Sequence, residues 1–359
     1  MKVDRFPLKL TGFEQDEILW LTRTYANVFG EAASEVLPLK GDAGDRRLLR
    51  LRGASTSAIG VVGPSVDENR AFVSFARSFS AHGLAVPCIH AVDDRERCYL
   101  EDDFGDTTLA LWLEDHRSQD GLDEAAEMMY RRVLDELVRF QIDAADEVDY
   151  SLCYQSGVFG IEAMLFDLAY FREMFLTPLV RLPWDEHAFT LEGRQLVAML
   201  QEAEQQYFLY RDFQSRNVMI HEDIPRFIDF QSGRRGALHY DVAALLFDSK
   251  GRLPAELRLR LLAHYLDRVG ERFKVDRARF GYLFEGFAVL RLVQALGAFG
   301  NLGLNKNKPG YLSLIPSRLH SLGTLVSEAE IMQQIPYLRR LLIEISGDPA
   351  ALELPTLDT

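Results

Sequence analysis

Residues 207–233, YFLYRDFQSRNVMIHEDIPRFIDFQSG, carry two carboxylates and an amide at a spacing that invites a chemical reading. NVMI and RFIDF are short β-like runs, and HEDIP between them is rich in turn residues. A hairpin centred near Asp223 pairs positions whose numbers sum to 446, which sets Asn217 opposite Asp229 at the open end of the ribbon. Asp212 lies on the short segment just before the first strand. Asn217 and Asp229 offer hard oxygen ligands of the kind Mg²⁺ takes, usually one or two carboxylates plus substrate phosphates. Asp212 is placed to accept the proton of an attacking hydroxyl. Together they suit phosphoryl transfer from a nucleotide, where positioning and charge neutralisation carry most of the catalysis.

The surrounding chain must hold these groups. Residues 14–29 have helical spacing, and 34–64 change to short β-like runs broken by glycines: EVLPL, RLLRLRG and SAIGVVGP. Residues 66–82 return to a helical pattern with Phe72, Phe75, Ala76 and Phe79 on one stripe. CIHAVD and RCYLEDDFG read as two further strands ending at Gly105. From 107 onward the pattern is mostly helical, over roughly 107–115, 123–142, 160–175, 188–206, 241–248, 255–269, 276–299 and 324–346, interrupted by the β-like patch at 207–231. The spacing predicts an α+β chain with a boundary at EDDFGDT, residues 101–107.

YRDFQSRN followed by IDF resembles the catalytic loop and metal-binding aspartate of the aminoglycoside phosphotransferase/kinase-like superfamily, in its H-x-D-x-x-x-x-N form. Asp212 and Asn217 stand in register, and Tyr210 departs from the usual histidine. The resemblance covers roughly 35–315. With RLVQALGAFG and KPGYL it lies closer to the bacterial N-acetylmuramate/N-acetylglucosamine anomeric kinases than to antibiotic-resistance enzymes or choline kinases. It implies a bilobal protein-kinase-like fold: a small β-sheet-plus-helix N-lobe over 1–105 and a larger, mainly helical C-lobe over 106–359. It also implies Asp212 as catalytic base, Asn217 and Asp229 as Mg²⁺ ligands, and ATP as donor, with GTP as the other option. In HYDVAALL, Asp241 fits the aspartate that supports the catalytic loop, and it would also cap its own helix.

At the nucleotide end, KGDAGDRRLLRL places Gly44 in the phosphate-covering turn, where glycine lets backbone N–H groups approach phosphate. The family's lysine on the third strand is missing, since SAIGVVGP contains no basic residue. Strand alternation puts Arg47, Leu49 and Leu51 on one face and Arg46, Leu48 and Arg50 on the other. With the leucines pointing inward, Arg47 is the expected phosphate cation and Arg46 the alternate. Glu68 either pairs with that arginine or completes the Ser-x-x-Glu capping box of SVDE. YLEDDFGD resembles the lobe-joining segment that meets the nucleotide base, with Glu101 in it.

For the acceptor, IEAMLFDLAYFREMF offers Phe166, Tyr170 and Phe171 with Glu162 and Asp167, and NLGLNKNKPG forms a polar break after a long apolar helix. The formal net charge of −14 argues against non-specific nucleic-acid binding, while 48% apolar residues support a substantial core. Three cysteines without a CxxC pair point to a reduced, cytoplasmic setting. The run 286–304 carries Arg291 and Gln294 and reads as a buried helix, so no membrane partner is expected. The expected activity is transfer of a nucleotide γ-phosphoryl to a small-molecule hydroxyl, foremost an amino sugar. The alternatives are another acceptor (an aminoglycoside, choline or an amino acid) or a catalytically silent nucleotide-binding module. The sequence is silent on oligomeric state.

Overall fold

The computed structural model describes residues 12–39, 45–118 and 121–354. They form two compact units. The first holds the described residues up to Trp112 with Ala144–Gly157 and Arg216–Gly233; the second holds Leu113–Asp143, Val158–Ser215 and the chain from Arg234.

In the first unit, β1 (Glu35–Leu39), β2 (Arg47–Arg52), β3 (Ser57–Val62), β4 (Ile89–Val92) and β5 (Cys98–Asp102) form an antiparallel sheet in the order β1-β2-β3-β5-β4. Helix α1 (Gln15–Phe29) covers one face, burying Leu21 and Tyr25 against Leu49, Leu51 and Leu100. Helix α2 (Val66–Ala81) buries the predicted stripe of Phe72, Phe75, Ala76 and Phe79. Phe72 stacks on Tyr99 of β5 at 5.5 Å. Each such phenylalanine contributes roughly 1.5–3 kcal/mol through burial. Both faces of this sheet are therefore covered.

The hairpin β7 (Val218–His221) and β8 (Ile224–Phe227) belongs to the same unit. Its strands pair Val218 with Phe227 and His221 with Ile224. The turn is thus centred between Glu222 and Asp223, whose φ values of 52° and 59° give a tight two-residue connection. The expected pairing, centred on Asp223, is displaced by half a residue. Asn217 then accepts from the Ile228 amide at 3.1 Å and does not oppose Asp229 in the ladder.

The second unit is helical: α3 (Leu109–Asp115, which begins in the first unit), α4 (Glu124–Val138), α5 (Ile161–Phe171), α6 (Glu186–Leu200), α7 (His239–Leu246), α8 (Ala255–Gly270), α9 (Arg277–Gly300), α10 (Ile315–Glu328) and α11 (Pro336–Gly347). The predicted helix at 324–346 is two helices: the first ends at Glu328, where Ala329 turns extended, and the second starts at Pro336, whose missing amide costs nothing at a first helical position. A small ribbon pairs β6 (Tyr207–Leu209) with β9 (Arg234–Gly236). Helix α9 is apolar enough to cross a membrane by length and composition, yet 67% of its most apolar window is buried inside the protein, as a core helix requires. Cys88, Cys98 and Cys153 are all free.

Candidate active site

In the first unit a backbone irregularity brings the predicted metal ligands together. Asp229 follows β8 with φ of 70°, in the left-handed region that few side chains adopt. That turn swings its carboxylate to the Asn217 amide, with Nδ2 donating to Oδ2 at 3.2 Å. Gln231 donates to Oδ1 at 3.0 Å. The Arg46 guanidinium forms an ion pair with Asp229, and its Nε lies 3.6 Å from Glu68. Burial pushes the Asp229 carboxyl upward, but the charge of Arg46, the Gln231 hydrogen bond and the charge of Arg216 hold it below the usual carboxylate range. Its side chain keeps 31% exposure. Among the described residues no group of three or more acidic, histidine or cysteine side chains could hold a metal alone. One ionised carboxylate and one amide fit Mg²⁺, which keeps water and substrate phosphates as its remaining ligands.

The two arginines are placed the opposite way from the expectation. Arg47 shares the α1 face with Leu49 and Leu51, where its Nη2 meets Glu17 at 2.8 Å and its guanidinium lies over Phe13. Leu49 and Leu51 do point into a core, but it is the core under α1. Arg46, on the other face, lies over Phe72 and meets the Asp229 cluster. Of its two readings Glu68 takes the first: its carboxylate faces Arg46, and only the Ser65 half of the capping box forms, with the Glu68 amide donating to the Ser65 hydroxyl at 3.3 Å. Glu101 has one carboxyl oxygen sealed without a hydrogen-bond partner, and burial pushes the group up to about 8 against the charge of Arg46. Gly44 lies outside the described residues.

In the second unit the segment Tyr210–Ser215 is held from below. Asp241, fully buried in α7, accepts from the Tyr210 amide at 2.7 Å and the Arg211 amide at 3.0 Å. Tyr210 fills the core against Phe140 and Phe213. Arg211 has φ of 80° and is anchored by a bidentate pair with Asp167 at 2.7 and 2.8 Å, with its guanidinium over Phe159 and Tyr240. Asp212 is half-buried and accepts from Gln214 at 3.3 Å. The amide and hydroxyl of Ser215 both donate to Asp248.

At the acceptor end, Phe166 is 67% exposed and stacks with Tyr170 at 6.2 Å and 10°. Phe171 instead belongs to the core, and Asp167 is committed to Arg211. Asn301, from the polar break, hydrogen-bonds Tyr170 and accepts from Asn305 at 3.1 Å. Sequence reasoning missed Arg216, Gln231, Asp248 and Arg50. Arg216 and Gln231 lie inside the quoted motifs, so their spacing was available. Arg50 is 4% exposed and ties β2 to Asp103, Asp106 and the Gly105 carbonyl; only its strand position hinted at burial.

Residues 35–280 match the family described as "Phosphotransferase enzyme family". The chain is 27% identical over 301 residues to an N-acetylmuramate/N-acetylglucosamine kinase of Pseudomonas aeruginosa, covering 82% of this chain and 84% of that one. The fold is similar to a choline kinase from Cryptosporidium parvum Iowa II (TM-score 0.59, 13% identity, 92% of this chain and 99% of that one). It is also similar to an ADP-bound aminoglycoside phosphotransferase (TM-score 0.57, 14% identity, 89% and 99%).

Proposed function

Because the chain belongs to the phosphotransferase enzyme family, and is a small-molecule kinase, we propose that it moves the γ-phosphoryl of ATP to a hydroxyl of an amino sugar. The observation that carries this reading is the cluster at Asp229: a carboxylate kept ionised and partly open, an amide beside it, and an arginine–glutamate pair. Asn217 and Asp229 would hold Mg²⁺, which supplies charge neutralisation on the donor phosphates. Arg46 takes the place of the missing third-strand lysine, with Glu68 orienting it. Its forked donors suit phosphate oxygens. Asp212 receives the acceptor proton, on a segment whose backbone is fixed by Asp241. Phe166 and Tyr170 present an aromatic face of the kind that packs against the apolar side of a sugar ring. The named activity of the Pseudomonas relative supports the amino-sugar acceptor. A cytoplasmic location remains part of this reading.

The experiment is ADP release with Mg·ATP across N-acetylglucosamine, N-acetylmuramate, an aminoglycoside, choline and amino acids. Turnover with the amino sugars, lowered roughly 10²–10⁴-fold in Asp212→Asn, is the expected result. Preference for another acceptor replaces the sugar assignment, and no turnover with any acceptor returns the chain to a silent nucleotide-binding module.

A further inference from the structure

Arg291 stands in the middle of α9 and is 7% exposed. It follows Phe284 by seven residues and Phe287 by four, so it continues the stripe those rings begin. An apolar side chain would complete that stripe at less cost, because a guanidinium stays charged and a withdrawn charge needs a counter-charge. Arg291 has no such partner. Its Nη1 donates to the neutral amide oxygen of Gln294 at 2.6 Å, and no carboxylate pairs with it among the described residues. Arg50 and Arg211 show the ordinary arrangement, with Asp103 at 2.7 Å from the one and Asp167 at 2.7 Å from the other. The Nε of Arg291 is sealed, whereas its Nη2 is neither sealed nor bonded to a described residue. The outer edge of the fork is therefore the part left open.

Where that edge opens is set by the rest of the helix. Every residue from Gly286 to Gly300 is buried except Gln294 and Ala298. Gln294 lies one turn beyond Arg291 and Ala298 one turn beyond that. The line they draw runs on to Asn301, which is half-buried and hydrogen-bonds Tyr170 of the aromatic face. A core helix sealed on all sides but one narrow line borders a recess. At the other end of that line Arg291 acts on Tyr240: burial pushes the phenol up, and the charges of Arg211 and Arg291 oppose it. The Tyr240 hydroxyl accepts from Arg211, the residue before Asp212. The open line thus runs from the neighbourhood of the catalytic segment to the aromatic face, with an uncompensated cation along it.

We propose that Arg291, held by Gln294, recognises a carboxylate on the acceptor and so selects an acidic one. Of the amino sugars this is N-acetylmuramate, whose carboxylate N-acetylglucosamine lacks. The substrate then supplies the counter-charge that the protein withholds, and a guanidinium fork suits a carboxylate better than a point charge does. The inference deepens the amino-sugar kinase reading and rests on it for its first pair of substrates.

The test is the ratio of kcat/KM for N-acetylmuramate to that for N-acetylglucosamine, read by ADP release with Mg·ATP in the full chain. The natural chain favours N-acetylmuramate roughly tenfold or more, the weight of one charge-assisted contact. Arg291→Met removes the charge and keeps an apolar stem. Gln294→Glu, at a half-buried position, gives Arg291 the carboxylate it lacks. Each variant brings the ratio to about one, because the contact that discriminates is gone or already occupied. A ratio of one or below in the natural chain, with both sugars turned over, overturns this inference and leaves the amino-sugar reading standing. A preference that survives in either variant overturns it as well. Should Arg291→Met not fold, Gln294→Glu decides alone. If neither sugar turns over, the amino-sugar reading falls, and serine against ethanolamine, which again differ by one carboxylate, decides this inference. A serine preference lost in Gln294→Glu supports it, and any other result with that pair overturns it.

Discussion

Asp229 and Asp241 are both withdrawn into the protein, yet their environments push them in opposite directions. Asp229 retains 31% side-chain exposure and faces Arg46 and Arg216, which hold it ionised against burial. Asp241 has no exposure and faces neutral donors: two backbone amides and the Gln141 amide, while burial pushes it up to about 7. A carboxylate compensated by side-chain cations and open on one side can exchange partners with a ligand. A carboxylate compensated by fixed backbone amides cannot, because releasing it orphans those amides. The first is arranged for binding and the second for shape.

The largest break in this contrast is Asp229→Asn. Asparagine tolerates the left-handed backbone, so the fold should persist while Mg²⁺-dependent turnover falls roughly 10²–10³-fold, the usual weight of one electrostatic transition-state contact. Calorimetry of ATP binding with and without Mg²⁺ checks it; unchanged metal dependence would place Asp229 with Asp241 among the shape-determining groups. Next in size is Arg46→Ala, expected to cost on the order of 1.5–3 kcal/mol in kcat/KM for ATP, as a charge-assisted contact does. Arg47→Ala should leave kcat/KM near that of the natural chain and lower the melting temperature instead, through loss of the Glu17 pair. The reverse ranking would return the phosphate cation to the α1 face.

Asp241→Asn should act on stability before catalysis. Its remaining carbonyl oxygen can satisfy one of the two amides, so the loss is about 1–3 kcal/mol, read by chemical denaturation. The pH dependence sharpens this. The folded-state value for Asp241, about 7, lies above the ordinary 3.8, so the folded protein holds a proton that the unfolded chain releases. Its contribution favours folding most at low pH and is lost as pH rises through about 7, with a slope of up to about 1.4 kcal/mol per pH unit. Asp241→Asn should remove that slope. For Asp229 the sign is reversed: its value is depressed, so its contribution is present above the ordinary carboxylate range and disappears as pH falls through the folded-state value.

Much of this was legible in residue order. The α2 stripe, the five strands and the nearness of Asn217 to Asp229 follow from period and turn chemistry. The facing of β2 was not, for a physical reason. Alternation separates Arg46 from Arg47 but cannot say which face is which when both are covered, and here α1 and α2 cover one each. Leu49 and Leu51 are buried as expected, on the side away from Asp229. The hairpin arithmetic named the right neighbours by an incomplete route: the ladder leaves Asn217 opposite Ile228, and the left-handed φ at Asp229 completes the approach. No period or propensity signals such a turn at an aspartate inside IDFQ. The helix start at Pro336 was written in the sequence and was overridden by apolar spacing on either side, while the end at Glu328 carries neither glycine nor proline.

Arg211 carries a consequence for anyone who would retune the acceptor. A non-glycine residue at φ of 80° costs on the order of 1–2 kcal/mol, and here the bidentate grip of Asp167 offsets it. Asp167 sits on α5, one position from the exposed Phe166 and three from Tyr170. The helix therefore offers unequal freedom to a library of variants. Phe166, Tyr170 and Glu162 can be randomised with the Tyr210–Ser215 segment left in place. Randomising Asp167 alongside them would release the residue next to Asp212, and inactive clones would then report a slack backbone instead of a rejected substrate.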